Sequence, residues 1–263
     1  MIPYFEYHVI AIGPIHLQVW GIFVSLGLLA GFFLADKLAK KYVLAQNVMI
    51  DIGIWALAGG LIMARIFHIF FYEPIYYLSD PVKMLMFWQG GFSSLGGFVG
   101  AFLAIWVFAK KRNFSFDDIL PYFDIGAISL WLGWAIGRLG CFFIHDHPGR
   151  LTDFFMAVDF PAGARHDLGL YDSLLAIVLF ASYFLLFKRL SKFHHGLVVI
   201  FSFMDYAIFR FLLDFLRADQ TFYGGDARYL NLTPAQWGMA SLFLALTTLI
   251  VWFMIRHHKK VLL

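Results

Sequence analysis

Residues 15–35, IHLQVWGIFVSLGLLAGFFLA, carry no permanently charged side chain, and Lys37, Lys40 and Lys41 follow at once. About 20 apolar residues cross a 30 Å hydrocarbon layer as a helix, so this run reads as a membrane span closed by a basic end. The same pattern recurs along the chain and predicts further helices at 48–71, 92–109, 119–143, 172–188, 196–216 and 235–256. Composition agrees. Of 263 residues 61% are apolar or aromatic and 14% charged, with 32 Phe and 8 Trp. A soluble domain carries about a quarter charged residues and cannot bury so much apolar surface in one core. The expectation is an all-α polytopic membrane protein of seven transmembrane helices, one domain over residues 1–263. Disorder, a disulfide scaffold (Cys141 stands alone) and a nucleic-acid-binding module are excluded.

Seven spans place the termini on opposite sides. Lys110, Lys111 and Arg112 follow the third span, Lys188, Arg189 and Lys192 the fifth, and Arg256, Lys259 and Lys260 the seventh. With the lysines after the first span these make 12 of the 20 Lys and Arg residues, all on one side. Positive charge is retained in the cytoplasm, which puts the N-terminus outside and the C-terminus inside. The N-terminal MIPYFEYHVIAIGP contains Glu6 and no basic residue, a poor match to a signal peptide, so no cleavage is expected. Outer-side connections then fall at 72–91, 144–171 and 217–234. The first is rich in Tyr, Met, Phe and Trp, which suits the membrane interface. The second holds four Asp, three His and two Arg.

Arg65, Arg138 and Arg210 lie inside predicted spans. Each costs about 2.5–3.5 kcal/mol at a span centre, against roughly 0.5 gained per Leu, so each needs a local anion or a functional reason. Tyr206, Arg210, Asp214 and Arg217 recur at i, i+4, i+8 and i+11 and stack on one helix face. Asp214 can pair with either arginine, leaving the other guanidinium for a phosphate, whose geometry a planar five-donor group fits. The alternative is an Arg–Asp–Arg ladder that only locks helices together. In WLGWAIGRLGCFF, Gly133, Gly137 and Gly140 make a smooth stripe against which another helix can close, with Arg138 and Cys141 nearly on one face. Cys141 itself reads first as packing. The run His145-Asp146-His147 has no spaced third ligand, so solvated loop histidines are expected and no metal. No nucleotide loop or cofactor motif occurs.

On these residues the chain resembles the prolipoprotein diacylglyceryl transferase family. Ile12-Gly13-Pro14 with Trp20-Gly21, Gly59-Gly60 with Arg65, and Gly-Gly-Phe-Ser-x-x-Gly-Gly at 90–97 follow in the family order. Gly137-Arg138-Leu139-Gly140 closing on Gly149-Arg150 resembles the family signature; Arg165-His166 with Tyr171, and Tyr206-x-x-Phe209-Arg210-x-x-x-Asp214-Phe215-x-Arg217, resemble two later motifs. The resemblance implies transfer of the diacylglyceryl group of phosphatidylglycerol to the cysteine of a prolipoprotein at the bacterial cytoplasmic (inner) membrane, the site facing the outer leaflet. It implies Arg138, Arg210, Tyr206 and Asp146 as catalytic. Arg138, Arg210, Arg217, Asp214, Arg65, Cys141, Gly149 and His166 would line the phosphatidylglycerol site. The partners implied are the lipid and the signal-peptide and cysteine region of the precursor; no cofactor and no nucleic acid are expected. The sequence also departs from the family. Leu95 stands at its glycine-rich-element histidine, Gln18 at another histidine, Cys141 and Ile144 at signature asparagines, Asp146 at a glutamate, and Asp167-Leu168-Gly169 at Pro-Ser-Gln. The alternative is a paralogue of the same fold that uses another acceptor or only binds anionic lipid. His145, Asp146 and His166 are the candidates for a replacement base.

Overall fold

The computed structural model describes residues 1–13, 15–86, 90–219 and 228–261. Pro14, residues 87–89 of the 72–91 connection, residues 220–227 of the 217–234 connection and residues 262–263 thus lie outside the described residues. Among the described residues eight helices carry the fold: α1 Val19–Lys41, α2 Gln46–Phe71, α3 Pro74–Ser79, α4 Ser94–Lys111, α5 Phe116–Ile144, α6 Leu168–Phe193, α7 Leu197–Leu213 and α8 Pro234–Val261. The structure is helical and polytopic: α1, α2, α5, α6 and residues Pro234–Trp252 of α8 are long and apolar enough to cross a membrane. The other two long helices, α4 and α7, have 18 and 17 residues. Leu29 and Phe33 on α1, and Leu185 on α6, are each more than 60% exposed. In a bilayer such faces are solvated by lipid, whereas in water they would aggregate.

Short strands add a feature that apolar periodicity did not announce: β1 Ile2–Pro3, β2 Val9–Ile12, β3 Ile15–Gln18, β4 Pro148–Leu151, β5 Val158–Phe160 and β6 Gly163–Asp167. β1, β5, β6 and β4 form one sheet in that order, β1 parallel to β5 and the rest antiparallel, while β2 and β3 form a hairpin. The first four residues of the predicted first span are therefore strand, and helix begins at Val19.

The chain divides into two compact units, Met1–Ala35 with Phe123–Leu263, and Asp36–Tyr122. In the first, the glycine stripe of α5 does what its spacing suggests. A Cβ on Gly133 would lie 2.7 Å from the Gly27 carbonyl oxygen, and one on Gly140 would lie 2.8 Å from Phe23 Cβ, so α1 and α5 meet backbone to backbone. Buried Asp124 of α5 accepts from Gly196 N at 2.7 Å and Val199 N at 3.0 Å, satisfying donors at the start of α7. The start of α8 is a capping box with Pro at the first helical position. Gln236 N donates to Thr233 Oγ1 at 3.1 Å, and Thr233 N to Gln236 Oε1 at 3.0 Å.

The second unit is dominated by α2 against α4. Gly59, Gly60, Gly96 and Gly100 line this contact, and a Cβ on Gly100 would strike the Gly59 carbonyl and Met63. Gly100→Leu is expected to destabilise the protein by about 1–3 kcal/mol through overpacking. Thermal unfolding in detergent checks this. Gly238→Ala on α8, where a Cβ meets nothing within 4 Å, is expected to leave the melting temperature unchanged or slightly raised.

Candidate functional site

The ends of α5 and α7 bring Arg138 and Arg210 to one carboxylate that sequence reasoning had given no role. Asp172, in the second turn of α6, places Oδ2 at 2.7 Å from Arg138 Nε and 3.8 Å from Arg210 Nε. Tyr206 donates its hydroxyl to the same oxygen at 3.4 Å. Asp172 reaches this point because α6 begins against the end of α5. A Cβ on Gly169 would fall 2.8 Å from Phe142 N, and Ser173 donates to the Ala135 carbonyl at 2.8 Å. All three charged side chains are nearly buried. An isolated ion there would be costly, so the group is held by mutual pairing.

The rest of the span-six motif completes the cluster. Arg210 Nη1 donates to Asp214 Oδ1 at 2.6 Å, whereas Arg217 Nη1 stands 4.0 Å from it, so Asp214 selects Arg210. Thr233 donates to the other Asp214 oxygen, and Gln236 Nε2 to the Phe211 carbonyl at 3.2 Å, which ties the start of α8 to the end of α7. Regular helix stops at Leu213 and a 3-10 turn, Asp214–Leu216, carries the chain to Arg217, which remains buried and bridges to Gly149. Gly149 is a packing position: a Cβ would lie 2.6 Å from His166 Cβ and 2.7 Å from the Leu216 carbonyl. Trp134 lies under the Arg138 guanidinium at 4.8 Å, and Trp131 packs on Tyr206 with ring centroids 4.9 Å apart. Arg138 and Arg210 thus converge on Asp172, and Asp214 stands between Arg210 and Arg217.

Beside Arg138 lie Cys141, Asp146 and His147. Arg138 Nη1 is 3.7 Å from Cys141 Sγ and 3.4 Å from His147 Nε2, and His147 Nδ1 is bonded to the Asp146 carboxylate. One donor atom from each of Cys141, Asp146 and His147 lies within 4.8 Å of the others. The permanent charge of Arg138 opposes a cation at that point. The expectation of solvated loop histidines needs correction. His145 is buried, pairs with Asp167 at 2.7 Å and is walled by Tyr4, Phe5, Phe142 and Phe160. His166 Nδ1 meets the Tyr171 hydroxyl at 2.9 Å.

Arg65 belongs to the second compact unit and faces backbone carbonyls. Nε donates to Met84 O at 3.3 Å, Nη2 to Lys83 O at 2.7 Å and Met86 O at 3.2 Å, and Nη1 to Gly91 O at 3.1 Å and to Gly90 O. Gly91 has φ +77°, and a Cβ there would lie 2.9 Å from Arg65 Nη1. Leu95, on α4 in the same unit, is 63% exposed.

Burial pushes the His166 imidazole below the ordinary histidine value, because the charged form loses hydration. A lowered folded-state value means that the unfolded chain binds the proton more tightly. Stability is then fully present above about pH 6.5 and falls as pH drops through the folded value. The His166 resonance is expected to titrate below about 6.5, and the loss of melting temperature from pH 7 to 5 to shrink in His166→Gln.

A profile of the prolipoprotein diacylglyceryl transferase family matches residues 8–254. The phosphatidylglycerol–prolipoprotein diacylglyceryl transferase of Staphylococcus saprophyticus is 31% identical over 233 residues, covering 84% of this chain and 81% of that protein. The protein of the same name from Finegoldia magna is 31% identical over 210 residues, covering 80% and 83%. A third, from Trichormus variabilis, is 29% identical over 249 residues, covering 89% and 87%. Arg138 and Arg210, the framework of the cluster, stand in the motifs that first suggested the relationship, and the chain belongs to the prolipoprotein diacylglyceryl transferase family.

Proposed function

We propose that this protein transfers the diacylglyceryl group of phosphatidylglycerol to the cysteine thiol of prolipoproteins and releases glycerol phosphate. The observation that carries the reading is the pair of arginines from separate helices, Arg138 and Arg210, that converge on one oxygen of Asp172. Such a cluster takes the phosphodiester and stabilises the second negative charge that forms as glycerol phosphate leaves. Asp172 and Asp214 fix the guanidinium planes, so the donors need no reorganisation during the reaction. Tyr206 positions the shared carboxylate, and Arg217, Gly149, Cys141 and His166 line the surroundings. The reacting bond is the carbon–oxygen bond between the glyceryl group and the phosphate; sulfur replaces oxygen on that carbon, giving a thioether.

The membrane assignment in this reading is seven spans in one domain, with α4 and α7 as the third and sixth. Basic residues in the last turns of α1, α4 and α6 support a cytoplasmic side for those ends. The N-terminus then lies outside, the C-terminus in the cytoplasm, and the arginine cluster toward the outer leaflet of a bacterial cytoplasmic membrane. The acceptor is the precursor's cysteine with its signal peptide. No cofactor or metal takes part.

Purified protein in detergent, given phosphatidylglycerol and a peptide with a lipoprotein-type cysteine, is expected to release glycerol phosphate and add a diacylglyceryl mass to the peptide. Arg138→Ala and Arg210→Ala are each expected to lower kcat by at least about 10²–10³-fold. Lipid consumption without a gain in peptide mass would favour another acceptor. Lipid binding without turnover would reduce the protein to an anionic-lipid binder. Asp172→Asn is expected to lower the melting temperature as well as the rate, since removing one partner of a buried ion pair costs about 3–5 kcal/mol.

A further inference from the structure

Leu95 has no group that accepts a proton, yet the thiolate, not the thiol, is the attacking form of cysteine. The three histidines of the 144–171 connection differ sharply in what they face. His145 is enclosed by aromatic rings and spends Nδ1 on Asp167; His166 spends Nδ1 on Tyr171. His147 alone among the three combines a carboxylate on one nitrogen with a phosphate-binding arginine at the other. A guanidinium only donates, so the nitrogen that faces Arg138 must be the bare one, and the proton sits on Nδ1 toward Asp146. This is the tautomer of a general base. The Nε2–Nη1 separation of 3.4 Å makes this a long, weak contact that an incoming thiol can displace.

We propose that His147, oriented by Asp146, accepts the proton of the incoming lipoprotein cysteine; this rests on the transferase reading above. The thiol proton moves to Nε2, and the sulfur electron pair forms the bond to the glyceryl carbon. The carbon–oxygen bond breaks with its pair on the departing glycerol phosphate. The imidazolium is balanced by Asp146 until it returns the proton to water. Among the described residues the charged and titratable groups around His147 are Arg138 and Cys141 on α5 and Asp146 beside it. Behind Arg138 stand Asp172 on α6 and Tyr206 and Arg210 on α7.

The test is the peptide assay from pH 6 to 9 with full-length wild type, His147→Gln and Asp146→Asn, folding checked by thermal melts. His147→Gln is expected to lose about 10²–10⁴-fold in kcat with little change in KM for the lipid. Its residual rate is expected to climb about tenfold per pH unit as the peptide thiol, with a pKa of about 8.5, ionises unaided. Asp146→Asn is expected to fall between the two. An active wild type matched by His147→Gln in rate and pH profile overturns the proposal and leaves the transferase reading standing. So does a wild-type rate that itself follows free-thiol ionisation, a result that needs no variant to fold. Activity lost to EDTA and restored by Zn²⁺ overturns it in favour of a metal on Cys141, Asp146 and His147. A wild type inert with lipid and peptide sinks the transferase reading, and this inference with it.

Discussion

One carboxylate held between two guanidinium groups sets the terms for the rest of this structure. A guanidinium taken out of water needs fixed acceptors for its donors, and Asp172 provides one for Arg138 and stands within reach of Arg210. For Asp172 to stand there, the start of α6 must press against the end of α5, which is why Gly169 has no room for a side chain. The two aromatic residues Trp131 and Trp134 then fill the space that charged groups leave dry. Helix packing and charge placement are thus one problem with one solution. A larger residue at Gly169 would disturb the arginines as surely as a change at Asp172.

The helical class and most of its boundaries were legible because lipid demands long apolar runs, and nothing else in a sequence looks like them. Arg138, Arg210 and Asp214 were legible because a charge inside such a run calls for an explanation. Asp172 was not. It sits at the first residue of a predicted span, where an acid is easily taken for an interfacial residue, and only its distance to Arg138 reveals a partner. His147 escaped for a similar reason, lying next to a more conspicuous His145-Asp146 pair whose histidine proves to be buried among aromatic rings. The short strands escaped because stretches of two to five residues carry too little periodicity to be read. Arg65 was legible as a buried charge, but its partners are carbonyls, and a carbonyl leaves no mark in a sequence.

The two compact units share one packing device and differ in what it holds. Between α1 and α5, and between α2 and α4, small residues let backbones approach until van der Waals contact replaces side-chain burial as the cohesive force. That contact is stiff, since there are no long side chains to repack. In the first unit the stiffness serves Arg138, two residues before the close approach at Gly140. In the second it holds α2, from which Arg65 reaches a ring of backbone oxygens in the 83–91 connection.

The anchors of α7 and α8 also bear on how the chain can diversify. Arg217 is fixed by its bridge to Gly149, and Thr233 by its bond to Asp214, so the connection from α7 to α8 leaves and rejoins the bundle at two anchored residues. The entropy of closing such a loop grows only with the logarithm of its length, about 0.6 kcal/mol for each doubling. Evolution can therefore lengthen or shorten this connection at small thermodynamic expense, while Arg138 and Arg210 stay where Asp172 and Asp214 hold them.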